Sequence, residues 1–283
     1  LNAQLGTKSE TTYGTAVVVD RFWAFERDTL KPIPGRTEAD GELRPGSIAM
    51  GVDQFVPYDG GAEGEVELIV PTKGMGWWLD KAIGTAVSIG APTDSNSLQT
   101  YTPGVNKLAG KSWTHQRNTP FNPGGGDQAI TFAGVKCDSF EFSMELDDFL
   151  RFVATLDGQT HSTATALATA SYPSFGTLGA GSKFPWSLAA ITIGGSQVET
   201  TLFKFRCDNN LKTDRRYLRG SALKKEPVRN GKVTPEFELE VDWVDLTQYT
   251  RIMSATANGA CAQIVATFSG PVALAGATVP QLV

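Results

Sequence analysis

The chain is poor in the residues that carry most catalytic chemistry. It has two histidines, His115 and His161, and three cysteines, Cys137, Cys207 and Cys261. Both histidines fall in stretches rich in Gly, Pro, Ser and Thr, which read as loops. A serine hydrolase needs a histidine set between a carboxylate and an activated nucleophile, and no Gly-x-Ser-x-Gly turn is present. Metal sites need clustered His, Cys and carboxylate ligands. Asp147 and Asp148 are neighbours at a strand end, so they point to opposite faces and do not chelate together. The run Ala109-Gly110-Lys111-Ser112 has Val105 where a phosphate-binding loop needs its first glycine. The expectation is a protein with no catalytic residues, no metal and no cofactor.

Other absences narrow the class further. The cysteines are widely spaced and form no Cys-x-x-Cys pair, so they read as reduced thiols of a protein made in a cytosol. No run approaches the roughly 18 apolar residues of a membrane helix, so no membrane partner is expected. No secretory leader and no Asn-x-Ser/Thr acceptor is visible. There is no basic surplus: the formal net charge is -5. Specific nucleic-acid binding rests on a basic footprint, so it is not expected. The chain starts at Leu1 and stops at Val283 inside an apolar run, and the expectation is that a few terminal residues are missing.

What is abundant is Gly (30 residues) and Pro (15), together with Thr, Ser and Val. That mixture favours many short strands and turns. A chain of 283 residues buries roughly three quarters of its unfolded surface and holds a large core.

The stretch 201–243 organises the reading. Phe203, Phe205 and Cys207 alternate with Lys204, Arg206 and Asp208; Phe237, Leu239, Val241 and Trp243 alternate with Glu236, Glu238, Glu240 and Asp242. Period-two alternation means one dry and one wet face. Asp208-Asn209-Asn210 ends the first strand, because these residues bond their own backbone and tolerate left-handed geometry. A long basic loop returns the chain, with Pro227 and Asn230-Gly231 as breakers.

The rest reads in order as follows. Residues 1–20 are polar and small and read as an extended arm. A first strand covers 21–30, broken by Pro32-Ile33-Pro34-Gly35. Residues 36–64 form a long polar segment with room for two short strands around 47–50 and 54–57. Val66, Leu68 and Val70 share the dry face of a strand whose other face carries Glu65, Glu67 and Ile69. Residues 74–83 follow as a short helix, with Trp78, Leu79, Ala82 and Ile83 as its buried stripe. Residues 85–126 are irregular apart from a strand near Trp113. Phe140, Phe142, Met144 and Leu146 alternate with Glu141, Ser143, Glu145 and Asp147. Residues 160–172 read as a surface loop, 187–193 and 198–207 as a hairpin, and 262–270 as a strand. A weak internal repeat aligns 140–149 with 237–246, and 66–83 more loosely.

The wet faces are the strongest signal. Glu141, Glu145, Asp147, Glu236, Glu238, Glu240 and Asp242 are acidic, and Lys204 and Arg206 return two positive charges. Like charges opposed across strands destabilise a sheet, so a wall of one sign points to a use for its field.

Strand, Asp-Asn-Asn-Leu, an Arg-rich loop and a Gly-Lys-Val strand ending in Asp245-Leu246-Thr247-Gln248-Tyr249 together resemble tail tube proteins of long-tailed phages. Residues 8–16 (KSETTYGTA) and 64–84 (GEVELIVPTKGMGWWLDKAIG) look like the same family's opening and its acidic strand with apolar helix. The resemblance implies an all-β, elaborated sandwich that forms a barrel on assembly, with a short flanking helix and long loops. It implies an N-terminal arm over 1–20 and one domain over 21–283, with 36–64 as the inter-ring loop and 85–128 and 157–185 as insertions. Copies would form stacked rings, six to a ring, as the tail tube of a virion assembled in the bacterial host cytoplasm. Partners would be further copies, a tape-measure protein, and tail terminator and distal tail proteins; DNA would pass without specific binding. The acidic residues above, with Lys204 and Arg206, would line the lumen. Thr11, Tyr13, Glu42, Arg44, Phe55 and Tyr58 would touch the next ring. The alternatives are another virion β-protein (tail terminator, distal tail or capsid decoration protein) and a carbohydrate-binding β-sandwich.

Overall fold

A computed structural model describes residues 3–39, 54–86, 88–89, 98–103, 108–118, 127–172, 183–253, 262–271 and 279–283. The chain runs through β1 (Gln4–Ser9), β2 (Arg21–Trp23), β3 (Arg27–Asp28), β4 (Lys31–Glu38), β5 (Phe55–Ile69) and α1 (Met75–Ala82). β6 (Ser88–Ile89), β7 (Gln99–Thr100), β8 (Trp113–Asn118), β9 (Ala129–Glu145), β10 (Arg151–Gly158) and β11 (Thr160–Ser162) follow. A 3-10 turn (Trp186–Leu188) leads into β12 (Ala189–Ile193), β13 (Ser196–Gln197), β14 (Thr200–Asp208), β15 (Leu211–Lys212) and β16 (Val228–Arg229). β17 (Thr234–Val241), α2 (Thr247–Met253), β18 (Ile264–Ser269) and β19 (Gln281–Leu282) complete it. The fold is all-β, and its strand pairs are antiparallel.

β9 is the spine, because it is long enough to serve two groups of strands. Its first half pairs with β8 and β11, and its second half with β14 and β10. β8 continues to β1 and β2; β10 continues to β5, which carries β3 and β4 on its far side; β14 continues to β17. The dry faces of β5, β9, β10 and β14 meet α1 and a small sheet of β12, β13, β18 and β19. Phe140, Phe142 and Phe152 pack ring to ring. Trp78 of α1 lies 5.7 Å from Phe152 and joins Trp23, Trp77 and Trp113 in one aromatic cluster. Phe268 of β18 closes the other side against Phe203 at 5.2 Å. Each fully buried aromatic contributes about 1.5–3 kcal/mol. The helix stripe is as the 3–4 spacing requires: Trp78, Leu79, Ala82 and Ile83 are buried.

Several local expectations are corrected by pairing that only distant residues supply. Within the stretch expected as an arm, Gln4–Ser9 is a paired strand. β1 sits between β2 and β8 with Leu5 and Thr7 fully buried. Residues 21–30 split into β2 and β3, which join different neighbours, β1 and β5. Pro32 and Pro34 do not break a strand: they lie in β4, with a bulge between them. Among the described residues β4 pairs only with β5, so the missing proline N–H groups face an unpaired edge. The second short strand expected near 54–57 is the start of β5, and the one near 47–50 lies outside the described residues.

The stretches expected as insertions also contribute strands to the main sheet: β8 lies within 85–128 and β11 within 157–185. The hairpin begun by β12 closes on β13, through Gly194 and Gly195 at φ 62° and 84°. Both positive angles suit a tight two-residue turn. β14 then leaves for the main sheet instead of pairing with β12. Of the repeat, β5–α1 and β17–α2 share a strand-then-helix plan; β9 runs instead into a tight turn and β10.

Candidate functional site

The wet faces of adjacent strands form one charged surface. Arg206 of β14 stands opposite Glu141 of β9 on one side and Glu236 of β17 on the other. Two residues along, Lys204 stands between Ser143 and Glu238, its Nζ 3.7 Å from the Glu238 carboxylate. Two further, Leu202 separates Glu145 from Glu240. The period of two puts all of these on one side. Seven of the nine sequence candidates, Glu141, Glu145, Lys204, Arg206, Glu236, Glu238 and Glu240, therefore share a face. Asp242 lies just past β17, with its N–H on the Glu199 carbonyl at 3.3 Å. Asp147 is a correction: it sits in the turn between β9 and β10 with φ 62°, off the strand wall.

The same face continues where the candidate set did not. Glu67 lies opposite Val153, itself opposite Glu141; Arg151 lies between Ile69 and Ser143. Arg27 of β3 bonds Glu65 at 3.1 Å and reaches Glu67 at 3.6 Å. Arg151 bonds Asp148 at 2.8 Å and Glu67 at 3.3 Å, and pairs with Glu26. The bond from Arg151 holds the Asp148 carboxyl below its usual range. The signal for this extension was present in the alternation of Glu65, Glu67 and Ile69. What it lacked was the pairing order that sets β5 beside β10 and β9.

β17 is an edge strand. Among the described residues it pairs only with β14, and of its dry side Leu239 packs partly against the core while its other apolar residues are largely exposed. Its dry side was expected in the core, but Phe237 is 51% exposed and Trp243 71%. The core ends under β14, where Phe203 and Cys207 are buried. Phe237 reaches back only to Phe205, at 4.7 Å between rings. Trp243 and Tyr249 touch each other, and Leu246 and Met253 of the same segment are also exposed. This end of the sheet thus offers an unpaired backbone edge, an apolar back and an acidic front.

The other end is built differently. The basic loop between β15 and β16 is pinned by buried polar contacts. Lys224 bonds Asp157, and Gln159 donates to the Lys224 carbonyl at 2.6 Å. Lys136 donates to Glu226 at 2.9 Å and to the Leu108 carbonyl at 2.6 Å. Burial lowers the Lys136 ammonium below its usual range, and it pushes the Asp157 carboxyl up to about 6 against the pull of Lys224. Glu10 accepts from Gly134 N–H at 2.9 Å, Ser112 Oγ at 2.9 Å and Thr114 Oγ1 at 3.1 Å, tying β1, β8 and β9 together. Cys137 and Cys207 are free and buried, and burial pushes both thiols up.

The proposed ring-to-ring residues scatter. Thr11 is exposed. Tyr13 folds inward, its ring against Gly134 and its hydroxyl buried; burial pushes that hydroxyl well above its usual value. Glu42 and Arg44 lie outside the described residues. Phe55 and Tyr58 stand on the β4–β5 ribbon, under Arg36 at 5.8 Å and Arg216 at 5.4 Å.

The histidines are not in loops. His115 is buried in β8, its Nε2 2.8 Å from Asp28, and His161 is in β11, 3.5 Å from Asp59. Tertiary pairing with β1 and β9 makes strands of both segments. Among the described residues no three His, Cys, Asp or Glu side chains gather as metal ligands, and no helix is long and apolar enough to cross a membrane.

A family model described as phage tail tube protein matches residues 1–279. The chain belongs to that family, and it is a structural component of the virion tail. The family implies self-assembly into a tube and contact with other tail proteins. Comparison with curated proteins gives no match.

Proposed function

We propose that six copies close into a ring, and that rings stack into a tube whose channel carries the genome into the host. The observation that carries this is β17, an edge strand whose outer backbone edge has no partner among the described residues, with an apolar back and an acidic front. Unpaired edges promote uncontrolled association. Pairing β17 with the β3–β4 edge of the next copy removes both edges at once. It also covers Phe237, Val241 and Trp243, each contributing about 1.5–3 kcal/mol when fully buried.

In such a ring the face bearing Glu141, Glu145, Glu236, Glu238 and Glu240 is the channel wall. Its carboxylates outnumber Arg206, Lys204, Arg151 and Arg27, so the wall repels phosphates and DNA slides without sticking. The interspersed cations keep the carboxylates from repelling one another apart. A tape-measure protein fills the channel before ejection, and terminator and distal tail proteins cap its ends. Assembly takes place in the bacterial host cytoplasm. The protein performs no catalysis in this role. The β4–β5 ribbon, with Phe55 and Tyr58, reaches toward the adjacent ring.

Negative-stain electron microscopy of the concentrated full chain tests the reading. Hollow tubes or holed rings support it. A structure of those tubes with Glu238 and Glu240 on the outer surface would remove the channel assignment.

A further inference from the structure

The two ends of the β9–β14–β17 sheet carry opposite charge. At one end Asp208 stands opposite Ser139 and Thr234; at the other Leu202 stands opposite Glu145 and Glu240. The separation is about 20 Å along the strands. The first end bears the loop 212–225, with Lys212, Arg215, Arg216, Arg219, Lys224 and Lys225 against the single carboxylate Asp214. The second end carries Glu145 and Glu240 on either side of Leu202, Asp242 beside Glu199, and Asp147 and Asp148 in the turn after β9, with Arg151 bonded to Asp148.

Each end also has an apolar feature of matching kind. On the basic loop Leu218 is fully exposed and Tyr217 half exposed, with the Lys225 ammonium 5.3 Å from the Tyr217 ring. This tip stands on a fixed base. Lys225 N–H bonds the Arg215 carbonyl at 2.9 Å, Arg215 bonds the Glu226 carbonyl, and Arg216 bonds the Gly60 carbonyl. At the acidic end a groove of about 260 Å³ opens between Leu146, Trp186, Ile191 and Leu202, with Glu145 and Glu199 among its lining. Trp186 is 41% exposed there.

We infer that the Tyr217–Leu218 tip of one copy seats in the Trp186 groove of the copy stacked above it, with Arg219 and Lys225 against Glu145 and Glu199. The inference rests on the tube reading and adds to it the contact that gives the stack its direction. A knob and a groove at opposite ends of one molecule make a head-to-tail contact, which propagates as a filament instead of closing. An aromatic anchor beside arginine is the usual composition of an energetically dominant contact. The opposite charges fix the register and speed encounter at low salt.

The test uses the full chain with Leu218→Cys and Trp186→Cys together, concentrated, mildly oxidised, and followed on non-reducing gels and by electron microscopy. The expected result is a ladder of cross-linked multimers together with tubes. Each single variant gives no ladder beyond a dimer. Tubes without a 218–186 cross-link would overturn the contact and leave the tube reading standing. Neither tubes nor ladder from this pair, with no tubes from the wild-type chain either, would overturn both. A ladder from a Trp243→Cys and Trp186→Cys pair, with none from 218–186, would overturn it by giving the groove to the α2 segment. Independently, Leu218→Asp leaves the urea midpoint unchanged, since the side chain is fully exposed. It cuts the pelletable fraction about tenfold or more, the loss expected for a central anchor; wild-type pelleting by this variant would also overturn the contact.

Discussion

Arg206 lies directly across from Glu236, in a row that begins with Glu141 on the neighbouring strand. One guanidinium thus separates two carboxylates that would otherwise have a like-charged neighbour in register. Arg206→Glu places three carboxylates in that row. Cross-strand charge pairs are each worth roughly 0.2–1 kcal/mol, so the reversal is expected to cost about 1–2 kcal/mol in urea unfolding at low salt. The loss shrinks in 1 M salt, where the screening length is about 3 Å. A loss of the same size at both salt levels would contradict the row's electrostatic role.

Lys224 and Asp157 make a second close pair, buried beneath the basic loop. Burial dominates and holds the Asp157 carboxyl near 6, above its unfolded value of 3.8. A carboxyl raised by folding binds its proton more tightly in the folded state. Its contribution is therefore fully present below the unfolded value and lost as pH rises through about 6. Asp157→Asn removes that titration. Wild-type stability relative to the variant is expected to fall between about pH 4 and pH 6. Urea midpoints measured across that window check it, and a difference that stays flat would refute the assignment.

Trp78 is fully buried among Trp23, Trp77, Trp113 and Phe152, while Trp77 is only half-buried. Trp78→Ala leaves a large cavity between α1 and the sheet and should cost about 3–5 kcal/mol. Trp77→Ala should cost clearly less. Equal losses in denaturant unfolding would show that α1 does not dock through Trp78.

Trp243 and Phe237 lie on the uncovered back of β17. Trp243→Asp is expected to change monomer stability by no more than about 0.5 kcal/mol, as for exposed positions generally. It should nonetheless abolish rings and tubes in sedimentation and microscopy. Normal tubes from Trp243→Asp would move the ring contact away from this edge.

The local alternation of residues was enough to place the strands around 65–70, 140–145, 203–207 and 236–241, and the stripe of α1. Strand geometry sends successive side chains to opposite faces and helix geometry returns them every three to four residues, so these features are written in short stretches. The family resemblance, spread over the start, middle and end of the chain, was legible for the same reason. Tertiary structure alone decided which strands lie side by side. It set Arg206 between Glu141 and Glu236, and it brought Glu65, Glu67 and Arg151 onto the same face. It drew β1 and β8 into the sheet where an arm and an insertion were expected. It buried His115 against Asp28, 87 residues away, and kept Pro32 and Pro34 in a strand because that strand is an edge. It also left Phe237 half exposed, since burial depends on what lies across from a side chain, and β17 meets the core only partly, through Leu239.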